Sequence, residues 1–552
     1  MQKTFFALLA FILVLLTGYA VYTGYSKAKE ARLMGMARHF IAQSDTRNAM
    51  LSLTELLQKS PGNVDAARLM ADLAETESPS NALAWRYRVV QLSPHSAADR
   101  IALASAAMMA GDFSLATNSL DQVSAAARNT AAYQNTAGIL AIAAHQPLLA
   151  EADFKTAAEL DPASTEPQLN YAILRLRSTN TQAVAEARTA LEKFAQAPVS
   201  HTRCQALREL EADAFVHGRF PDALDWSHRL LAETNSLFSD HLVQLEIVSR
   251  GKPANLGPEL AACQRAADND PLRILELANW EIKNISPRQA LDWMVTLPPD
   301  LRTNQPVAML SAQCQTLLGD WNGLAQTLGH EQWAKLDFVR HAFLARSLRG
   351  RQLPDGAAAE WEKASAAAGT DARNLGTLYG MARQWGWADE ENDLLWTLVR
   401  NHPQEKWAAL TLTQTLASEG RTQSLMQLFA LQAGQDPTDM DAKNNLAMTA
   451  LLLGAKEQKP FDLARQAYEA DPKNPSFAST YALSLYLLHR NADALQVLQQ
   501  LPAANLESPE IAGYYGIILK ATGNRSKAGA YLKLASGAKL LPEERKLFAA
   551  QP

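Results

Sequence analysis

The sequence predicts an all-α chain: one transmembrane helix, then a solenoid of about fifteen helix-turn-helix repeats, with no strand. Three observations predict it. Residues 133–162 carry small side chains at Gly138, Ala150 and Ala157, Phe154 between the last two, and a closing Asp161-Pro162. That order reads as helix, turn, helix, stop, because small residues let helices approach, Phe154 fills the gap and Pro162 cannot continue a helix. Pro403, Pro437 and Pro472 then fall 34 and 35 residues apart, the length of one helical pair with its turns. At the amino terminus, residues 5–25 (FFALLAFILVLLTGYAVYTGY) carry no charge, and about 20 apolar residues suffice to cross a bilayer.

Composition narrows the function classes. Of 552 residues 47% are hydrophobic and 20% charged, the balance of an ordered chain. The net charge of -5 leaves no basic excess for nucleic-acid binding as a main task. Cys204, Cys263 and Cys314 are odd in number and far apart, without metal-ligand or disulfide-framework spacing. Cys263 stands where Phe154 stands in its own repeat, so a buried small apolar side chain is expected there.

Taken in order, residues 1–28 form the expected anchor and residues 29–548 the repeats. Lys3 precedes the apolar run, and Tyr19, Tyr22 and Tyr25 cluster at its far end, where amphipathic aromatics favour the interface. Thr17-Gly18-Tyr19-Ala20 is a poor cleavage site, so an uncleaved anchor is expected over a signal peptide. Lys27, Lys29, Arg32 and Arg38 argue for repeats on the cytoplasmic side; the short basic tail before the run argues for export, the reading taken. The first repeat places Ala37, Phe40, Ala49, Leu53, Leu56 and Pro61 at the offsets of residues 133–162. Later repeats are marked by Leu103, Ala104 and Ala107, by Gly218-Arg219-Phe220 before Ala223, and by Gly319-Asp320-Trp321. Tyr481, Ala482, Ala494 and Leu498 mark another, and Gly516, Gly523, Ala528, Leu532 and Ala535 the last. Glu543, Glu544, Arg545 and Lys546 read as part of a polar cap on the final repeat.

This Gly…Ala…Phe…Ala…Pro pattern resembles the tetratricopeptide repeat, and the resemblance covers everything except the N-terminal run. It implies a right-handed superhelix in which the first helix of each pair lines a concave groove that holds peptides or helices of other proteins. An anchor followed by repeats is similar to bacterial membrane repeat proteins of c-type cytochrome maturation, polysaccharide secretion and lipopolysaccharide assembly. The lipopolysaccharide type carries a C-terminal four-cysteine module that nothing here matches, and the cytochrome type has far fewer repeats. The expectation is a single-pass protein of the bacterial inner membrane, repeats in the periplasm, scaffolding cell-envelope assembly or secretion. The alternative is a regulatory or assembly subunit of an enzyme complex, with no catalysis of its own.

No catalytic motif rises above the repeat. No GxxxxGK[ST] loop, GxSxG elbow or HExxH pair occurs; His330-Glu331 is followed by Gln332-Trp333-Ala334. Asp161, Asp270, Asp436 and Asp471 each precede proline at a repeat end, which explains them as helix terminators. No enzymatic activity, cofactor or metal is expected.

Binding surface remains. Residues 320–410 hold Trp321, Trp333, Trp361, Trp385, Trp387, Trp396 and Trp407 with arginines interleaved. The resemblance puts Arg346, Arg349 and Arg383 on first helices facing the groove, and Trp and Arg are enriched at hot spots. The competing reading is that Trp321 and Trp361 are core and the arginines solvated. A second candidate is apolar: Met448, Leu452, Leu483, Tyr486, Leu487 and Ile517, on first helices of the late repeats, would suit an amphipathic helix. Ordinary contact between adjacent helices would explain the same residues.

Overall fold

The computed structural model describes residues 27–75, 78–251, 253–329 and 332–549. The apolar run 5–25 lies outside the described residues. Among those described, no helix is long and apolar enough to cross a membrane.

The described residues form helices and turns, without a strand. They fall into two compact units that divide between Asp268 and Asn269. In the first unit residues 27–42 pair with Thr46–Lys59, and the pattern repeats, for example Ala131–Ala143 with Pro147–Leu160 and Ser200–Val216 with Phe220–Leu231. In the second it runs from Pro271–Asn284 with Pro287–Val295 to Pro509–Ala521 with Arg525–Ala535, followed by one short helix, Pro542–Ala549. Within each unit a helix packs on its partner and on the next pair, as the tetratricopeptide resemblance implies.

Local chemistry sets these boundaries. Asp45, Asn63, Asp112, Asp371, Asp439 and Asn474 cap first turns by accepting from backbone N–H groups two or three residues on. The acid-proline corners divide. Asp161, Asp436 and Asp471 end second helices as expected, and their carboxylates accept from N–H groups of the turn that follows. Asp270 does the opposite: it is the N-cap of Pro271–Asn284, accepting from the N–H of Leu272 at 2.9 Å, with Pro271 at the first helical position. The turn inside a pair needs a left-handed residue. Gly386 supplies it at φ 69°, whereas His145 and His489 adopt φ 58° and 60° at the corresponding places.

Packing follows the small residues. Ala150 and Ala157 are fully buried, and Phe154 lies against Gly138 on the facing helix. Gly516 meets Leu532 in the same relationship near the end of the second unit. Cys204, Cys263 and Cys314 are all buried. Ion pairs one repeat apart tie successive pairs together: Arg68 to Asp99 at 2.7 Å, Arg208 to Asp240 at 2.8 Å and Arg177 to Glu209 at 3.1 Å. Asp99 and Asp240 are themselves buried, so these two carboxylates depend on their guanidinium partners.

Candidate partner-binding surfaces

Part of the tryptophan-arginine stretch condenses into one aromatic cluster of the second unit, while Trp407 stands apart against Tyr379 at 5.4 Å and Trp396 lies under Arg400. Trp385 and Trp387 have ring centroids 5.0 Å apart, Trp387 meets Trp361 edge-on at 5.3 Å, and Phe343 lies 5.8 Å from Trp385. Trp333, Trp361 and Trp387 are buried. The Arg346 guanidinium stands over three rings, 5.2 Å from Trp321 and 5.8 Å from both Trp385 and Trp387. It is half-buried, and its Nε has no hydrogen-bond partner among the described residues. Burial, with the Arg349 charge behind it, pulls its pKa below the ordinary arginine value. Arg349 is exposed, lies 3.9 Å from the Trp387 ring and pairs with Glu390. Arg346 and Arg349 therefore share Trp387. Arg383 is not part of that group; exposed on Ala372–Trp385, it donates to the Tyr379 hydroxyl at 3.0 Å.

Beside this cluster, three consecutive first helices open a cleft of about 200 Å³. Val307–Leu318 contributes Met309, Gln313 and Leu317; Asp337–Gly350 contributes Phe343; Ala372–Trp385 contributes Met381 and Trp385. Leu317 is half exposed there, at 51%. Sequence reasoning missed Met309, Gln313, Leu317 and Met381. Their signal is the i, i+4, i+8 spacing of 309, 313 and 317 on a helix whose other residues are also largely apolar, so no polar face marks the open side.

The late apolar residues separate by depth. Leu483 and Ile517 are fully buried, Ile517 inside the cluster that holds Ala478, Ala482 and Leu498. Met448, Leu452 and Tyr486 are half-buried around Leu451, Leu483 and Tyr514, and Leu487 is exposed at 39%. The groove they border is already covered. Leu547 and Phe548 of Pro542–Ala549 pack into the same cluster. Pro542–Ala549, which carries Glu543 to Lys546 of the expected polar cap, lies across first helices Met440–Leu453 and Pro509–Ala521, with Arg545, Lys546 and Ala549 exposed.

No protein-family profile matches the sequence, and no curated protein matches it. Among solved structures the chain is similar to a tetratricopeptide repeat protein from Parabacteroides merdae ATCC 43184, at 16% identity, covering 46% of this chain and 100% of that one, TM-score 0.36. It is similar to MamA protein at 17% identity over 31% of this chain and 96% of that one, TM-score 0.27. It is also similar to the APC/C hetero-tetramer Cut9-Hcn1 at 13% identity over 93% of this chain and 97% of that one, TM-score 0.28.

Proposed function

We propose that this protein is a membrane-anchored scaffold that binds segments of other proteins along the first helices of its repeats, without catalysis. The cleft walled by Met309, Leu317, Phe343, Met381 and Trp385 is the observation that carries the reading. It is apolar, open to solvent, and built from side chains of three successive repeats, the geometry a helical or extended segment needs to bury its apolar side. Gln313 and Gln384 border it and offer amide donors and acceptors to a bound backbone. Arg383, exposed on one of the three helices, would grip an acidic residue flanking that segment, and Arg349 would do so only by exchanging its Glu390 partner. The anchor, the bacterial inner membrane, the periplasmic side and a task in envelope assembly or secretion belong to the same proposal and rest on residues 1–38 and the family resemblance.

Affinity capture with the full-length protein from its native membranes, compared with a Leu317→Glu/Met381→Glu variant, tests it. The proposal expects envelope-assembly proteins captured by the wild type and lost from the variant, at unchanged helicity. Identical capture by both overturns the cleft. Protease applied to intact cells and to opened cells in parallel decides the side: repeats shielded from the outside face of the inner membrane overturn the export reading.

A further inference from the structure

The helix Pro542–Ala549 is eight residues long, far shorter than the length at which a helix is stable alone in water, so its order comes from the surface beneath it. It has four anchoring points, spaced for one helical face. Glu543 accepts from the Thr422 hydroxyl, 121 residues earlier in the chain. Glu544 accepts from the Tyr514 hydroxyl with one oxygen and from the N–H of Leu541 at 2.7 Å with the other. Leu547 enters the cluster of Leu451, Leu483 and Tyr514. Phe548 meets the Tyr514 ring edge-on at 5.1 Å and packs against Gly513, where any Cβ would collide with it.

The receiving side is shaped for this chemistry. Tyr514 is 2% exposed, so its hydroxyl sits at the floor of the groove, and the only oxygen it reaches among the described residues is that of Glu544; Met448 Sδ lies 3.5 Å away. Burial, then the Glu544 charge, holds the phenol well above its usual pKa, so it remains a donor. A buried donor aimed at a carboxylate selects an acidic residue, and the missing side chain at Gly513 selects an aromatic one turn later. A cap at the end of a row of repeats would need only to cover the last pair. This helix instead runs back over Met440–Leu453 and reaches the turn at Gly420 and Thr422.

We infer that this groove is a binding site for short amphipathic helices bearing an acidic pair followed three and four residues later by an aliphatic and an aromatic residue, and that the chain's own C-terminal helix holds it closed until such a partner displaces it. The inference rests on the proposed scaffold role in taking first helices as the binding face, but it concerns a different stretch of repeats from the 200 Å³ cleft.

The test uses the full-length protein and a fluorescein-labelled peptide of residues 538–549. The Leu547→Ala/Phe548→Ala chain, whose own helix is released, should bind the peptide at least tenfold more tightly than the wild type. Adding Tyr514→Phe to that chain should weaken binding about tenfold while circular dichroism stays unchanged. Equal peptide binding by wild type and released chain at unchanged helicity overturns the inference, because the groove would then be a permanent seam. Concentration-dependent dimers of the wild type also overturn it, since the helix would then serve a second copy. Neither failure touches the Leu317/Met381 cleft, whose capture experiment reads separately.

Discussion

A Cβ atom added to Gly138 would stand 2.6 Å from Cε1 of Phe154, so the phenyl ring lies directly on the backbone of the facing helix. Phe154 is 3% exposed and its neighbours Ala150 and Ala157 are fully buried, so the ring has no free direction to yield. Gly138→Leu therefore overpacks the pair and should cost about 1–3 kcal/mol. Thermal unfolding followed by circular dichroism should show a lower first transition with native helicity below it; an unchanged melting temperature would mean that the two helices do not meet here.

Arg346 acts on the fold through its rings. Removing it in Arg346→Ala uncovers Trp321, Trp385 and Trp387 together and should cost about 2 kcal/mol, packing of the stem included. Denaturant unfolding read by tryptophan emission should show a lower midpoint and a red-shifted native spectrum. Arg383→Ala, exposed and bonded only to Tyr379 among the contacts named, should leave both unchanged.

Glu211 is a buried carboxyl, 3% exposed, with Oε1 lacking a partner. Burial pushes its pKa up to about 7 from 4.5, Asp240 adding to the shift and Arg208 opposing it. Between pH 4.5 and 7 the folded chain holds a proton that the unfolded chain has released, so stability falls as pH rises through that window. A shift of this size corresponds to about 3 kcal/mol at neutral pH. Glu211→Gln should raise the melting temperature at pH 7.5 and change it little at pH 4.5; equal effects at both would rule the ionisation out.

Asp99 has the opposite sign. Burial alone would raise its carboxyl, but hydrogen bonds from Arg68 and Ser93 outweigh it and hold the pKa at about 2, below the usual 3.8. Its contribution is present above pH 4 and is lost as pH falls towards 2. Urea midpoints of the wild type and Asp99→Asn should therefore differ at pH 6 and converge at pH 2. A gap that persists at pH 2 would assign the loss to packing instead.

The helical pairs were legible from residues 133–162 because each pair is specified by contacts within itself and its immediate neighbour. Gly138 and Phe154 meet across one turn, with Ala141 and Ala150 in the same small cluster, so short spacing along the chain becomes contact in space. Asp270 was misread as a terminator because an acid before proline suits the end of one helix and the start of the next equally well, and only the backbone at Asp270 distinguishes them. The binding surfaces were less legible. The tryptophans were found by composition, yet Arg346 and Arg349 converge on Trp387 while Arg383 does not, although all three share the first-helix pattern.

Paired helices with small residues at their crossings follow from the order of residues alone, because those choices are made within some 34 residues. Which apolar residues lie open and which are covered depends instead on how the pairs stack. Ile511 to Leu519 are all buried, so that helix is apolar on every side and its period cannot separate a groove from a neighbour. The place of Glu543 and Phe548 depends on Thr422, Gly513 and Tyr514, which the chain brings to them only after four pairs have stacked.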